Sequence, residues 1–347
     1  MEIVKHPLLK WLRASIHEGL RLLGIYSAGM ASIVIPQGSH VLEKRTGEGR
    51  LEGAKRLAIF THFDRRGEVH EYVVYYLAAL RKAGFEIVFV SNSRRLKEDA
   101  WRRVLPYCAL VLRRRNLGHD FGAFRDALGL IGDVSRLDEL LLVNDSVYGP
   151  LCDLAPLLER CDPKIASVWS MTDCWDNRYH LQSYFVLFKR EALCNPAFQH
   201  FWTRVRLVQS KSWAIRKYEV GLTQAMMKAG LRCAALFPYR RLTAALMQGV
   251  MQHGLLDRED LSDYHRGYAR NLFRWIELGT PLNPTHFFWD HLIAKEGAPF
   301  IKRDLLLHNP MRVPYVSQWE AVIRQSSDYD PDLILRHLEC CSRRRAV

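Results

Sequence analysis

Residues 139–150 read Glu-Leu-Leu-Leu-Val-Asn-Asp-Ser-Val-Tyr-Gly-Pro, an apolar run that ends abruptly in three polar residues. The apolar part, residues 140–143, has the length and composition of a buried strand. Asn144, Asp145 and Ser146 follow at its carboxyl end, which is where ligands bind in an open α/β sheet. The stretch therefore predicts a strand that presents one carboxylate, that of Asp145, to a ligand.

Short apolar strands alternate with helical periodicity on both sides of this stretch. Such alternation implies a mostly parallel sheet with right-handed crossovers, flanked by helices. A polar cluster follows four of the predicted strands, at residues 61–64, 91–93, 113–116 and 144–146. Because parallel strands share one carboxyl edge, we expect the four clusters to lie together. A longer strand over residues 180–188, antiparallel to the others, is predicted next. The predicted fold class is α/β, with a Rossmann-like sheet.

Three segments are expected along the chain. Residues 1–54 combine a basic amphipathic helix over residues 8–23 with a Gly-rich linker over residues 37–55. That helix either lies in a membrane interface or packs on the main domain. Residues 55–240 hold the α/β sheet, and residues 241–347 form a mostly helical extension that completes the site.

Charge and cysteine content limit the partners and the compartment. The 347 residues carry a formal net charge of +13, which predicts an anionic partner: a nucleotide, a nucleic acid or an anionic lipid. A solvated basic surface is the alternative. Nucleic acid is disfavoured, because the basic residues are spread through the chain without a helix-turn-helix or zinc motif. The eight cysteines lack metal-binding spacing, which indicates a reducing, cytoplasmic compartment.

Asp145 is the first candidate for chemistry, because a carboxylate at that position can hold a divalent cation or hydrogen-bond a sugar. A lone carboxylate is a poor metal site, however, and residues 144–146 hold only one. The alternative is a turn in which Asn144 and Asp145 cap the helix that follows.

A second candidate cluster lies upstream, in residues 115–122, which read Arg-Asn-Leu-Gly-His-Asp-Phe-Gly. Arg115, with Asn116 beside it, could pair with a diphosphate, because a guanidinium binds phosphate bidentately. Gly118 allows close approach of the backbone to a ligand, and Asp120 could accept hydrogen bonds from a ribose or a base. The alternative is that Asp120 only caps the helix.

Glu219 stands at the predicted start of an amphipathic helix, where a negative charge is favoured. It could serve as a general base, or it is an ordinary charged residue of a first helical turn. Contacts to a nucleotide are expected from His62, Asp64, Asn92, Asn144, Ser146 and Lys302. Contacts to an acceptor sugar are expected from an aromatic face and from side chains that both donate and accept hydrogen bonds: Trp175, His180 and Gln182. His286 and His291 do not have the spacing of two ligands on one helix face and are interpreted as structural.

Together these motifs resemble the rhamnan synthesis protein F family of bacterial polysaccharide glycosyltransferases. The resemblance runs from about Leu57 to Asn309. It is carried by the motifs that begin at Thr61, Val90, Arg115, Asn144, His180 and Tyr218, and by Asn283-Pro284 and Pro299-Phe300-Ile301-Lys302.

The resemblance implies a GT-A-type fold that binds a nucleotide sugar. It also implies transfer of rhamnose from a thymidine-diphosphate donor onto a lipid-linked glycan, for cell-surface polysaccharide or lipopolysaccharide O antigen, at the inner face of the cell membrane. Residues 144–146 replace the acidic Asp-x-Asp of such enzymes and keep only Asp145. Two alternatives follow: a Mg²⁺ or Mn²⁺ site, and a metal-independent site.

The expected mechanism is an inverting transfer with Glu219 as the base. Arg115, Lys302 and a cation at Asp145 would stabilise the leaving diphosphate. Two other classes stay open at this point. One is a phosphoesterase or nucleotidyltransferase on a similar sheet, and the other is a basic, non-catalytic protein that binds nucleic acid or acts as a scaffold.

Overall fold

The computed structural model describes residues 16, 19, 20, 23–253 and 262–343. The amphipathic helix predicted over residues 8–23 lies almost entirely outside the described residues. Residues 23–31 are helical and form α1. Among the described residues, no helix combines the length and the apolar character that crossing a membrane requires.

The sheet is mixed and mostly parallel at its centre. Its strands are β1 (Val41–Thr46), β2 (Arg56–His62), β3 (Glu86–Ser91), β4 (Leu110–Arg114), β5 (Glu139–Asn144), β7 (Val168–Cys174), β8 (His180–Leu181), β9 (Phe185–Lys189) and β10 (Cys233–Phe237). The spatial order is β1-β4-β3-β2-β5-β9-β7-β10, with β8 paired to β7. Strands β4, β3, β2 and β5 are mutually parallel, and β9 runs antiparallel to both β5 and β7. The predicted α/β class with a mostly parallel sheet is confirmed.

Helices flank this sheet and fill the C-terminal part of the chain. They are α2 (Glu71–Lys82), α3 (Glu98–Val104), α4 (His119–Ile131), α5 (Leu154–Glu159), α6 (Arg190–Cys194), α7 (Pro196–Thr203), α8 (Lys211–Trp213), α9 (Val220–Lys228), α10 (Tyr239–His253), α11 (Asp263–Glu277), α12 (Pro284–Phe287), α13 (Trp289–Ala294), α14 (Arg303–His308), α15 (Trp319–Ser326) and α16 (Asp332–Arg343). A π-helical turn, Ala214–Glu219, joins α8 to α9.

The two faces of the sheet bury two separate apolar cores. Alternate residues of β2 point to opposite faces. Ala58 and Phe60 pack in the core that contains α2 and α3, whereas Leu57 and Ile59 pack in the core that contains α4. Both faces are covered, which explains why the central strands read as continuous apolar runs rather than as alternating patterns.

The chain reverses its direction of travel across the sheet between β2 and β5. It proceeds from β2 outward through β3 to β4 and then returns to place β5 on the other side of β2. Such a switch point opens a crevice at the carboxyl ends of the two strands. The main chain closes the floor of this crevice, because the Asp145 N–H donates to the Thr61 carbonyl at 3.1 Å.

The structure corrects two expectations about the elements. The predicted linker over residues 37–55 contains β1, which pairs antiparallel with β4 at the edge of the sheet. Its exposure alternates along a polar sequence, Val-Leu-Glu-Lys-Arg-Thr, and charged residues are common on edge strands. The single strand predicted over residues 180–188 is in fact two strands, β8 and β9, separated by residues 182–184.

A second, two-stranded sheet lies beside the crevice. It consists of β6 (Val147–Tyr148) and β11 (Ile301–Lys302), paired antiparallel with Lys302 opposite Val147. The expected C-terminal extension is mostly helical, as predicted, and β11 is the strand by which it reaches the turn that follows β5.

Candidate active site

Asp120 is held across the crevice by groups from both strands that flank it. Thr61 Oγ1 donates to its Oδ1 at 3.1 Å, and Asn144 Nδ2 donates to its Oδ2 at 3.0 Å. Burial, followed by the nearby charge of Asp145, raises the pKa of Asp120 to about 6. Asp120 and Asp145, which come from separate segments of the sequence, are therefore close enough for the charge of Asp145 to act on Asp120.

Asp145 forms an ion pair with Arg303, which sequence reasoning did not single out. Arg303 Nη1 lies 2.8 Å from Asp145 Oδ2 and donates to the Asp145 carbonyl at 2.5 Å. The Phe63 N–H also donates to Oδ2, at 3.3 Å. Both side chains are largely buried, with 19% of Arg303 and 12% of Asp145 exposed. The Asp145 carboxylate is therefore already paired with a positively charged side chain.

Lys302 points from β11 toward the same turn. Its Nζ lies 3.4 Å from Ser146 Oγ and 4.2 Å from the centre of the Tyr184 ring. Burial lowers the pKa of Lys302 to about 8, although the charges of Glu219 and Asp120 oppose that shift. The ammonium group therefore stands between the Asp120 side and the Glu219 side of the crevice.

Glu219 ends the π-helical turn and faces residues 182–184. Its Oε1 accepts hydrogen bonds from the Ser183 N–H at 2.7 Å and from Ser183 Oγ at 2.9 Å. These bonds fix one carboxylate oxygen. A π-helical turn inserted in an α-helix is frequent at functional sites, and here it carries the candidate base.

Two partly or fully buried histidines, His286 and His119, are close enough to the lysines of the site for the lysine charges to affect them. Burial lowers the pKa of His286 to about 4, and the charges of Lys302 and Lys211 lower it further. Burial, and then the positive charge of Lys211, also lower the pKa of His119. Nε2 of each histidine is buried without a hydrogen-bond partner among the described residues. Buried polar atoms normally have partners, so this region suits an anion that would supply them.

The structure brings together Asp120, Asn144, Asp145, Ser146, Glu219 and Lys302 from the residues singled out in the sequence. Asn144 Oδ1 accepts from the Ser146 N–H at 3.1 Å and from Ser146 Oγ at 2.5 Å. Arg115 is exposed at the end of β4. It lies three strands from β5, roughly 14 Å away at ordinary strand spacing, with Asn116 beside it. The main chain at Arg115 is therefore well separated from that at Asp145, and the two residues are not neighbours in the sheet.

Several predicted nucleotide contacts lie beneath the crevice with protein partners. His62 is buried, with Nδ1 3.2 Å from Ser91 Oγ, and burial lowers its pKa. Asp64 Oδ1 accepts from the main-chain N–H groups of residues 66 and 68, and the Asn92 side chain accepts from Arg114 at 2.7 Å. Gly118 has φ 75°, the left-handed conformation that favours glycine, at the start of α4.

The three predicted acceptor contacts lie in or next to β7 and β8, in the stretch that ends beside Ser183, the partner of Glu219. His180 is buried, and its Nδ1 lies 2.9 Å from the Arg178 carbonyl oxygen. Gln182 is fixed by Thr172 Oγ1 at 2.6 Å and by Asn283 Oδ1 at 3.2 Å. The Trp175 ring is covered by the Arg240 guanidinium at 4.4 Å.

Sequence reasoning did not single out Arg114, Lys211, His119 or Arg303, and it interpreted His286 as structural. Arg114 is fully buried and pairs with Asp126 at 2.8 Å. Residues 113–115 are all arginine, so residue type does not show which of them faces the interior. The alternation of side chains along β4 would predict that the middle one, Arg114, does. Arg303 directly follows Lys302, and no local pattern indicates that it pairs with Asp145.

A possible metal-binding group exists away from Asp145. One ligand atom each of Glu68, His70 and Cys340 lie within 4.8 Å of one another, and all three residues are partly buried. Glu68 also pairs with Lys97 at 2.5 Å. The group contains no residue that was predicted from the sequence to bind a metal.

Comparison with known proteins finds a family model that matches part of this chain. Residues 87–253 match the model of the family described as rhamnan synthesis protein F, which confirms the resemblance inferred from the motifs. The virulence protein VirA of Vibrio anguillarum is 28% identical over 288 residues, covering 81% of this chain and 89% of VirA. The uncharacterized protein y4gN of Sinorhizobium fredii is 26% identical over 236 residues, covering 65% of this chain. The match spans only 61% of y4gN.

Among solved structures, the mannosyltransferase PcManGT of Pyrobaculum calidifontis, in complex with GDP-Man and Mn²⁺, aligns with a TM-score of 0.35 and 12% identity. The alignment covers 90% of this chain and 95% of that chain.

Proposed function

We propose that this protein is a glycosyltransferase that moves a sugar from a nucleotide diphosphate to a hydroxyl group of a glycan. The observation that carries the proposal is that Lys302 and Glu219 contact adjacent residues beside the switch point of the sheet: Lys302 Nζ lies 4.2 Å from the Tyr184 ring, and Glu219 accepts from the Ser183 N–H at 2.7 Å. A fixed carboxylate beside a buried ammonium group supplies a base and an anion-binding cation. The match to the rhamnan synthesis protein F family supports the same chemistry.

In the proposed reaction, the acceptor hydroxyl oxygen bonds to the anomeric carbon of the donor. The bond from that carbon to the diphosphate oxygen breaks, and its electron pair leaves with the diphosphate. Glu219 takes the hydroxyl proton through its second oxygen, Oε2, while Ser183 holds Oε1. Attack from the face opposite the diphosphate inverts the anomeric centre.

Charge stabilisation is the second contribution that we assign to the site. Negative charge grows on the diphosphate as the bond breaks, and cations positioned in advance stabilise it most effectively. Lys302, whose Nζ lies 3.4 Å from Ser146 Oγ in the turn after β5, is such a cation. Lys211, whose charge lowers the pKa of both His119 and His286, adds to the positive potential on the same side.

The donor that fits best is a rhamnosyl nucleotide, with thymidine diphosphate as its carrier. This finer assignment rests on the match to the rhamnan synthesis protein F family. For this protein we propose a growing, lipid-linked cell-surface glycan as the acceptor. His180, Gln182 and Trp175 are the acceptor contacts that we propose, because they lie in the stretch of chain that leads to Ser183, the residue that holds Glu219.

We propose that the surface beside α1 faces the inner side of the cell membrane, where a lipid-linked acceptor would lie. A cavity of about 630 Å³ lies beside α1 and is lined by basic residues that include Arg178, Lys217 and Lys228. Apolar side chains are exposed nearby, with Leu23 69% and Met30 67% exposed. Basic groups next to exposed apolar groups are what an anionic membrane surface attracts.

Replacement of Glu219 by Gln tests the proposed base. Gln keeps an acceptor oxygen for Ser183 and the shape of the side chain, but it does not take a proton. We expect kcat to fall by about 10²- to 10⁴-fold, with little change in the KM for the donor. Turnover would be measured with a panel of nucleotide sugars and an oligosaccharide acceptor, and Glu191→Gln, an exposed glutamate of α6, is the control.

Each alternative outcome has a distinct meaning. Full activity in Glu219→Gln would remove Glu219 as the base. Hydrolysis of the nucleotide sugar that does not depend on an acceptor would favour a phosphoesterase instead of a transferase.

A further inference from the structure

The short sheet of β6 and β11 fixes two cations against the turn after β5. Ile301 pairs with Tyr148 and Lys302 with Val147. The Arg303 N–H then donates to the Ser146 carbonyl at 3.0 Å. Main-chain bonds therefore hold Lys302 and Arg303 beside residues 144–146, where an acidic motif would hold a divalent cation.

The oxygens that could bind such a cation are already engaged. Asp145 Oδ2 receives Arg303 and the Phe63 N–H, which leaves only Oδ1. Both oxygens of Asp120 accept hydrogen bonds, and Asn144 Oδ1 accepts two from Ser146. Mg²⁺ requires near-octahedral oxygen coordination at about 2.1 Å.

A divalent cation at Asp145 would also meet two positive side chains. Even bound through Oδ1, it would lie close to the Arg303 guanidinium, 2.8 Å from Oδ2, and to the Lys302 ammonium group at Ser146. Like charges at such distances repel strongly in a partly buried site. The residues present at Asp145 therefore do not fit a Mg²⁺ or Mn²⁺ ion.

We propose that Lys302 and Arg303 take the place of the divalent cation, so that this site binds and stabilises a diphosphate without a metal ion. The inference rests on the proposed function and specifies how that site handles its donor. Lys302 is the group that contacts the diphosphate, because its Nζ has a long hydrogen bond to Ser146 and the face of Tyr184 as neighbours. Arg303 is a positioning residue, which neutralises Asp145 and keeps its carboxylate away from the anion.

The test measures binding rather than turnover. Calorimetry with dTDP, UDP and GDP would compare the full chain in EDTA with the same chain in MgCl₂ or MnCl₂. We expect the affinity for the preferred nucleotide to agree within about two-fold between the conditions. Lys302→Met should weaken binding about 10- to 100-fold, because a hydrogen bond to a charged group is lost. Lys302→Arg should restore most of the affinity, and Lys295→Met, an exposed lysine, is the control.

Arg303 is tested by its conservative variant. Arg303→Lys should retain the diphosphate affinity within about five-fold, whereas Arg303→Gln should lower it by about tenfold or more. An unchanged affinity in a folded Arg303→Gln protein would overturn the role of Arg303.

The inference and the proposed function fail in different ways. Binding that appears only with Mg²⁺ or Mn²⁺ would overturn the metal replacement and leave the glycosyltransferase proposal standing. Absence of binding of every diphosphate, with and without a metal, would overturn the proposed function and this inference with it.

Discussion

The charges of individual side chains determine how strongly this crevice would bind an anionic ligand. Asp145 and Arg303 share one ion pair, so replacing Asp145 would change both stability and ligand binding. Lys302 has no carboxylate partner within hydrogen-bond distance among the described residues. It is therefore the side chain whose effect on binding is easiest to separate from folding.

Lys302 gives the site a pH dependence. Burial lowers the pKa of Lys302 to about 8, so the free protein loses this positive charge as the pH rises through that value. We expect the affinity for a nucleoside diphosphate to weaken above pH 8, by up to about tenfold per pH unit. Below pH 8 the charged form dominates, and the affinity should level off. Calorimetric titrations at several pH values between 7 and 9.5 would measure the effect.

The control for this prediction is Lys302→Arg. A guanidinium stays charged throughout this pH range, so the decline above pH 8 should disappear. Persistence of the same decline in Lys302→Arg would assign the titration to another group.

The sequence predicted the main acidic residues of the site but not their partners. Asp145 and Asp120 could be placed because parallel strands share one carboxyl edge, a rule that needs only the order of apolar runs. Arg303 could not, because its ion pair with Asp145 depends on the pairing of β11 with β6. That pairing joins residues far apart in the chain and leaves no periodic signal in two short strands.

At the scale of elements, backbone geometry sets the position of Glu219. The sequence predicts that an amphipathic helix begins at Glu219, but the chain is already helical from Lys211. However, Ala214–Glu219 has the wider π-helical turn. Side-chain periodicity over so few residues does not distinguish the two helix types, so the direction of Glu219 could not be derived in advance. The strand β1 was missed for a related reason, since a polar edge strand resembles a loop in composition.

The close approach of α4 to its neighbours depends on Gly122. A Cβ atom at that position would lie 2.2 Å from the Leu117 carbonyl oxygen and 2.9 Å from Leu207 Cδ2. We expect Gly122→Ala to lower the free energy of unfolding by about 2 kcal/mol or more, because an overpacked interior must shift its backbone. The same shift would move Asp120 and weaken nucleotide binding. Urea denaturation measures the first effect.

Gly129 provides a matched control in the same helix. It is exposed, and a Cβ atom there meets nothing within 4 Å. Gly129→Ala should therefore raise the free energy of unfolding by about 0.5–1 kcal/mol, since alanine favours a helix over glycine. Equal effects of the two substitutions would show that helix propensity, rather than packing against Leu117 and Leu207, governs α4.

At the scale of the whole molecule, the basic residues that give the net charge of +13 occupy more than one region. Lys302, Arg303 and Lys211 lie around the crevice, whereas Arg178, Lys217 and Lys228 line the cavity beside α1. Composition predicted an anionic partner without distinguishing a nucleotide from a lipid. The two sets share no residue, and each can serve a different anion.

The apolar and basic surface beside α1 predicts binding to anionic membranes. The full chain should bind vesicles that contain phosphatidylglycerol and should bind phosphatidylcholine vesicles weakly, because the charges of the protein are attracted to the anionic surface. Leu23 and Met30 are 69% and 67% exposed. The double variant Leu23→Ser/Met30→Ser should lower binding about tenfold or more, since each side chain loses apolar contact with lipid. Co-sedimentation with vesicles measures the partition.

Two further variants separate the apolar contribution from the electrostatic one. Lys228→Glu should weaken binding to anionic vesicles and leave the weak binding to neutral vesicles unchanged. Leu278→Ser changes an equally exposed leucine, 69% accessible, just after α11 and should have no effect. If Leu278→Ser reduced binding as much as the double variant did, exposed apolar area in general would explain the association. If no variant changed it, α1 and its basic cavity would not be the membrane-facing surface.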